Sequence, residues 1–108
     1  MTGNRASNGG GLHNNQGLVF VTNSTFAENR AEGNFGFAEG GAISSFGGNM
    51  TIQQSTINDN FAQAVGGGVS ANADTVGGSL SIESSTIAYN HAGEMQGSTG
   101  EGGGIYIQ

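Results

Sequence analysis

Two short motifs recur along the chain in a fixed order, and this repeat limits the folds available to it. A Gly-Gly-x-aliphatic block reads Gly9-Gly10-Gly11-Leu12, Gly40-Gly41-Ala42-Ile43, Gly66-Gly67-Gly68-Val69 and Gly102-Gly103-Gly104-Ile105. Between these blocks lies Ser-Thr-apolar-x-x-Asn: Ser24-Thr25-Phe26 to Asn29, Ser55-Thr56-Ile57 to Asn60, and Ser85-Thr86-Ile87 to Asn90. Seven and five residues before each central apolar residue stand Val19 and Val21, Met50 and Ile52, Leu80 and Ile82. Ala31, Ala62 and Ala92 follow each Asn at the same offset, and Asn4-Arg5-Ala6 fits that element too. Units therefore run roughly 9–39, 40–65 and 66–101, with a partial unit at 102–108. Length varies only in the connections, as in a solenoid whose indels map to loops.

The apolar pattern has period two, and its runs are short and bounded by Gly. That spacing puts alternate residues on one face of a strand, and no segment carries the i, i+3, i+4, i+7 pattern of an amphipathic helix. Helical repeats are excluded, and each unit reads as three short strands separated by corners. The expected fold class is all-β: a single-stranded parallel β-solenoid, three-sided and about three coils long. Gly makes up 22 of 108 residues, which in isolation suggests a flexible tract. The fixed offsets of the aliphatic residues argue against that reading.

Stacking equivalent residues about 4.8 Å apart gives four inward columns. They are Leu12/Ile43/Val69/Ile105, Val19/Met50/Leu80, Val21/Ile52/Ile82 and Phe26/Ile57/Ile87. Each fully buried aliphatic side chain contributes roughly 1.5–3 kcal/mol, so one narrow core offsets much of the ordering entropy. Asn29, Asn60 and Asn90 are expected to form an internal ladder, bonding one another and the turn backbone.

These residues resemble a known family. The pair FxxN and GGA[ILV] is similar to the repeat of chlamydial-type polymorphic outer membrane proteins. Phe26-Ala27-Glu28-Asn29 and Gly40-Gly41-Ala42-Ile43 match both halves. The other units carry Ile57 and Ile87 for Phe, and Gly68 and Gly104 for Ala, and so resemble the wider set of bacterial right-handed β-helix surface proteins. The resemblance implies a right-handed coil and a place at the bacterial cell surface or outside the cell, often in an adhesin. It carries no catalytic residue, because the motif residues are scaffold.

Charge and composition narrow the function. Arg5 and Arg30 are the only Lys or Arg residues, set against eight carboxylates, for a net charge of −6. A chain without a basic patch has no electrostatic basis for nucleic-acid binding. Cys is absent, so neither disulfides nor thiol ligands are available. No apolar run reaches the ~18 residues of a membrane helix, so membrane insertion by this segment is not expected.

Several polar residues are candidates for chemistry. Glu28 and Asp59 share one offset in adjacent units, but Tyr89 fills the third position of that column and breaks a metal array. His13 and His91 sit at different offsets, so no metal or cofactor is expected. Arg5 and Arg30 share one turn offset at the start of the connection, which allows them to stack one coil apart, although solvated turn arginines are the commoner case. An enzyme, as a fragment of a polysaccharide lyase or hydrolase, requires Glu28, Asp59 and Arg30 to face one side. The variable connections Arg30 to Glu39 and His91 to Glu101 carry Phe35, Phe37 and Met95, the candidate contact loops.

The leading expectation is a structural or adhesive surface segment that displays loops on a rigid solenoid. The chain opens mid-unit at Asn4-Arg5-Ala6 and closes at Ile105-Tyr106-Ile107-Gln108. It therefore reads as an excerpt of a longer solenoid, or as a fibre subunit stacking end to end. Expected partners are other copies or flanking coils, with a host or matrix protein or a glycan at the loops.

Overall fold

A computed structural model describes residues 1–33, 38–73, 77–93 and 100–108. All regular structure among them is strand, with no helix. A two-residue strand β1 (Arg5–Ala6) comes first. It is followed by β2 (Leu12–Asn15), β3 (Leu18–Thr22), β4 (Thr25–Ala27) and β5 (Arg30–Ala31). The same succession of four recurs as β6 (Ile43–Phe46), β7 (Gly48–Gln53), β8 (Thr56–Asn58) and β9 (Phe61–Ala62). It recurs again as β10 (Val69–Asn72), β11 (Gly78–Glu83), β12 (Thr86–Ala88) and β13 (His91–Ala92), before β14 (Ile105–Ile107).

Consecutive strands never pair with each other. Instead the chain deals them in turn to four parallel sheets, ordered β1-β5-β9-β13, β2-β6-β10-β14, β3-β7-β11 and β4-β8-β12. Each circuit of the chain thus lies in register on the one before, an arrangement compatible with a β-solenoid. Thr25 pairs with Thr56 and Thr56 with Thr86, and Val21 with Ile52 and Ile52 with Ile82. The expectation of three strands per unit is corrected to four. The Asn-x-Ala element, read as the start of a loop, makes its own two-residue strand and sheet.

The core runs between the sheets along the stacking direction. Val21, Phe26, Ile43, Met50, Ile52, Ile57 and Val69 are buried in one cluster, with Leu12, Val19, Leu80, Ile82 and Ile87 packed half-buried against it. Position in the stack grades the burial: Ile43, Met50, Ile52, Ile57 and Val69 on middle strands are 0–1% exposed, whereas on the end strands only Val21 and Phe26 are buried and the others are partly covered. Ile105 departs from its expected inward burial. It pairs with Val69 alone and stays 38% exposed. A second buried cluster joins Ala31 and Ala62, of the β1-β5-β9-β13 sheet, with Ala38.

Glycine is required where the circuits turn. Gly40 has φ +65°, and a Cβ there would sit 2.1 Å from the Ile43 carbonyl oxygen. At Gly41 a Cβ would lie 2.1 Å from the Gly67 oxygen of the next circuit, so a side chain would force the circuits apart.

Ile57 sits in the middle strand of its sheet at 0% exposure. Ile57→Val should cost about 0.5–1.5 kcal/mol. Ile57→Asp places an unpartnered carboxylate in the core and should abolish the cooperative thermal transition. Circular dichroism melting checks both, and a native-like melt for Ile57→Asp would contradict this packing.

Candidate functional site

Two columns of polar side chains carry the specific chemistry of the stack, one inside and one outside. The inner column is built on asparagine. The Asn29 backbone N–H and Nδ2 both donate to Asn60 Oδ1, at 2.9 and 3.0 Å. The Asn60 backbone N–H and Nδ2 donate in the same way to Asn90 Oδ1, at 3.0 and 2.9 Å. Asn4 extends the column, its N–H and Nδ2 donating to Asn29 Oδ1 at 3.1 and 2.9 Å. Asn60 Nδ2 also donates to the Phe26 carbonyl, and Asn90 Nδ2 to that of Ile57. The Asn60 side chain thereby joins the backbone of its own circuit, at the Asn58 carbonyl, to that of the circuit before, and bonds the next amide in the column. The residue before each of the last three Asn turns the corner with positive φ: Glu28 at 56°, Asp59 at 55° and Tyr89 at 55°.

A serine column escaped the sequence reading. The N–H of Ser24 donates to Ser55 Oγ and that of Ser55 to Ser85 Oγ, both at 3.1 Å. Each of the three hydroxyls donates in turn to the carbonyl two residues earlier. The recurrent Ser-Thr dipeptide is the signal for it in the sequence. No buried side-chain polar atom among the described residues lacks a partner. These columns are accordingly satisfied structural networks, not sites awaiting a ligand.

The outer column lies on the β1-β5-β9-β13 sheet. Register sets Arg5 beside Arg30, Arg30 beside Phe61 and Phe61 beside His91. The Arg30 guanidinium lies 4.5 Å from the centre of the Phe61 ring. His91 stacks on Phe61 with centroids 5.7 Å apart and planes 22° from parallel. Glu32 fixes the two arginines: its Oε1 accepts from Arg30 Nε at 2.8 Å and pairs with Nη2 at 2.6 Å, and its Oε2 pairs with Arg5 Nη2. The hydrogen bond from Arg30, reinforced by the charges of both arginines, holds the Glu32 carboxyl below its ordinary pKa, while desolvation opposes this. The cluster borders a groove of about 470 Å³ lined also by Gln63 and two glycines.

The remaining sequence candidates fall elsewhere. Glu28 and Asp59 are adjacent corner residues, and neither lines the groove beside Arg30. His13 pairs with Ser44 on the β2-β6 sheet, away from the sheet that carries His91. No group of three or more His, Cys, Asp or Glu able to hold a metal occurs among the described residues. Phe35, Phe37 and Met95 lie outside the described residues. No family model, curated protein or solved structure matches the chain.

Asn60 is the most connected member of the inner column. Asn60→Ala leaves the Asn29 N–H and Nδ2 without their acceptor, and each uncompensated buried group costs about 1–3 kcal/mol. Asn60→Asp instead sets a carboxylate against the Phe26 carbonyl and Asn90 Oδ1, both acceptors. That favours its protonated form, so this variant should gain stability as pH falls and lose it as pH rises. Denaturant melts at pH 4 and pH 8 check this. Equal stability of Asn60→Asp at the two values, after correction for wild type, would contradict the ladder.

Proposed function

We propose that the chain is a right-handed single-stranded parallel β-helix of about three coils. We further propose that it serves as a structural and adhesive segment on the outside of a bacterial cell. One observation carries the reading. The short strands β5, β9 and β13 lie side by side in one sheet, and each is followed directly by a connection of different length and sequence. A scaffold that repeats itself while its connections vary, all from one side, suits display better than catalysis. The repeat motifs that resemble polymorphic outer membrane proteins support the location, and the net charge of −6 suits a soluble exposed rod. Its partners on this reading are flanking coils of the same solenoid and a host or matrix protein or glycan. Contact is weak at each loop and gains strength by repetition.

A second reading, a fibre subunit stacking end to end, is favoured by Ile105 and Ile107. Both are exposed large apolar residues of β14.

The display reading predicts that the connections carry the binding. A chain with Phe35, Phe37 and Met95 all changed to Ser should keep the wild-type melting temperature. It should lose at least tenfold in retention on immobilised collagen, fibronectin or an array of neutral glycans. Equal retention by wild type and variant, or cleavage of a polysaccharide by the wild type, would contradict it. Growth of the wild-type scattering mass with concentration would put the fibre reading first.

A further inference from the structure

We infer that the Arg5–Arg30–Phe61 face is a binding site for an anionic saccharide, a sugar chain bearing carboxylate or sulfate groups. The inference rests on the display reading and names a ligand class for it. Three observations carry it together.

The first is charge. Every Lys and Arg of a chain with net charge −6 stands in one column, in register on adjacent strands. Glu32 neutralises one of the two guanidinium charges, and the cluster of Arg5, Arg30 and Glu32 keeps a net positive charge. An anion is repelled by most of this surface and attracted here. The guanidinium fork matches the paired oxygens of a carboxylate or sulfate, and Glu32 takes only some of the ten N–H donors that two such groups carry.

The second is rigidity. Exposed arginines usually surrender side-chain entropy on binding. Here Glu32 holds both, and Arg30 is braced over the Phe61 ring, whose other neighbour in the column is His91. The site is ordered before a ligand arrives. Gln63 is likewise held, its Oε1 accepting from the Gly33 N–H at 3.1 Å, which leaves its amide nitrogen directed by that contact.

The third is shape and donor mixture. The groove is open, and Arg5, Arg30 and Phe61 line it from successive strands along the stacking direction, a path suited to a linear polymer. Guanidinium donors, the Glu32 acceptor and the Gln63 amide together match a ring that carries hydroxyls as well as an anionic group. A bare anion uses only the first of these.

The test is a titration of the 15N-labelled chain at low ionic strength, read from backbone and Arg Nε resonances. The probes are hyaluronan tetrasaccharide for carboxylate, dextran sulfate oligosaccharide for sulfate, neutral dextran and inorganic sulfate. At least one anionic saccharide should shift the Phe61, Gln63 and Arg30 Nε signals, with half-saturation at least tenfold below that of inorganic sulfate. The affinity should fall on adding 150 mM salt. Arg30→Gln and Arg5→Gln should each weaken binding about tenfold with unchanged melting, and Arg30→Lys should recover only part. Equal binding of neutral dextran, equal binding of inorganic sulfate, or an unaltered affinity in Arg30→Gln would overturn the site. Anionic saccharide binding that survives Arg30→Gln but is lost in the Phe35/Phe37/Met95 triple variant would overturn the groove while leaving display intact. Failure of every saccharide and matrix protein to bind either chain would overturn both.

Discussion

The hydrogen bond from one corner asparagine to the next is the contact on which the stack depends. A primary amide offers an acceptor and two donors at one branch point. Asn60 can therefore receive the N–H and Nδ2 of Asn29 while giving its own to Asn90, at about 3 Å throughout. Asp lacks the donors and Ala lacks both. The bond also fixes register. A slip of one residue in a parallel sheet moves every inward side chain to the outer face, and here it would also break the contacts of the buried Asn29 and Asn60 amides. Hydrophobic columns alone tolerate sliding more readily, because one aliphatic neighbour resembles another.

Register then decides everything outside the core. The outer column of Arg5, Arg30, Phe61 and His91 exists only because each occupies the same offset after a ladder Asn. Residues 25 to 31 apart in sequence are thereby placed side by side, and two arginines come to share the one carboxylate of Glu32. A surface made this way is stiff, since each side chain is braced by the next. It is also easily varied, because the columns beneath do not depend on what the outer positions carry. That combination is what the proposed display role and the proposed saccharide site draw on.

Much of the architecture is legible in the chain because the pattern is redundant. Val21, Ile52 and Ile82 each stand five residues before an apolar position that is itself three before an Asn. Any one unit is ambiguous, and three in succession leave little choice of period. What escaped the reading has identifiable causes. The fourth sheet hid because a two-residue strand with one Ala carries no alternation to detect. The Ser24/Ser55/Ser85 network hid because serine is equally common in turns. Glu28, Asp59 and Tyr89 adopt positive φ without being Gly or Asn, since the following Asn holds the corner for them. The Arg30–Phe61–His91 stack joins three residue types that share no motif, and only the register unites them. Ile105 follows its pattern but not its burial: it stacks on Val69 alone and stays exposed.

The in-register parallel stack is tested most directly by through-space proton contacts in a uniformly labelled sample of the full chain. The account predicts contacts from Ile57 to both Phe26 and Ile87, and from Thr56 to both Thr25 and Thr86. It also predicts slow hydrogen exchange at the Asn60 side-chain amide. Contacts between consecutive strands, such as β3 with β4 in an antiparallel hairpin, or fast exchange at Asn60 alongside protected strands, would contradict it.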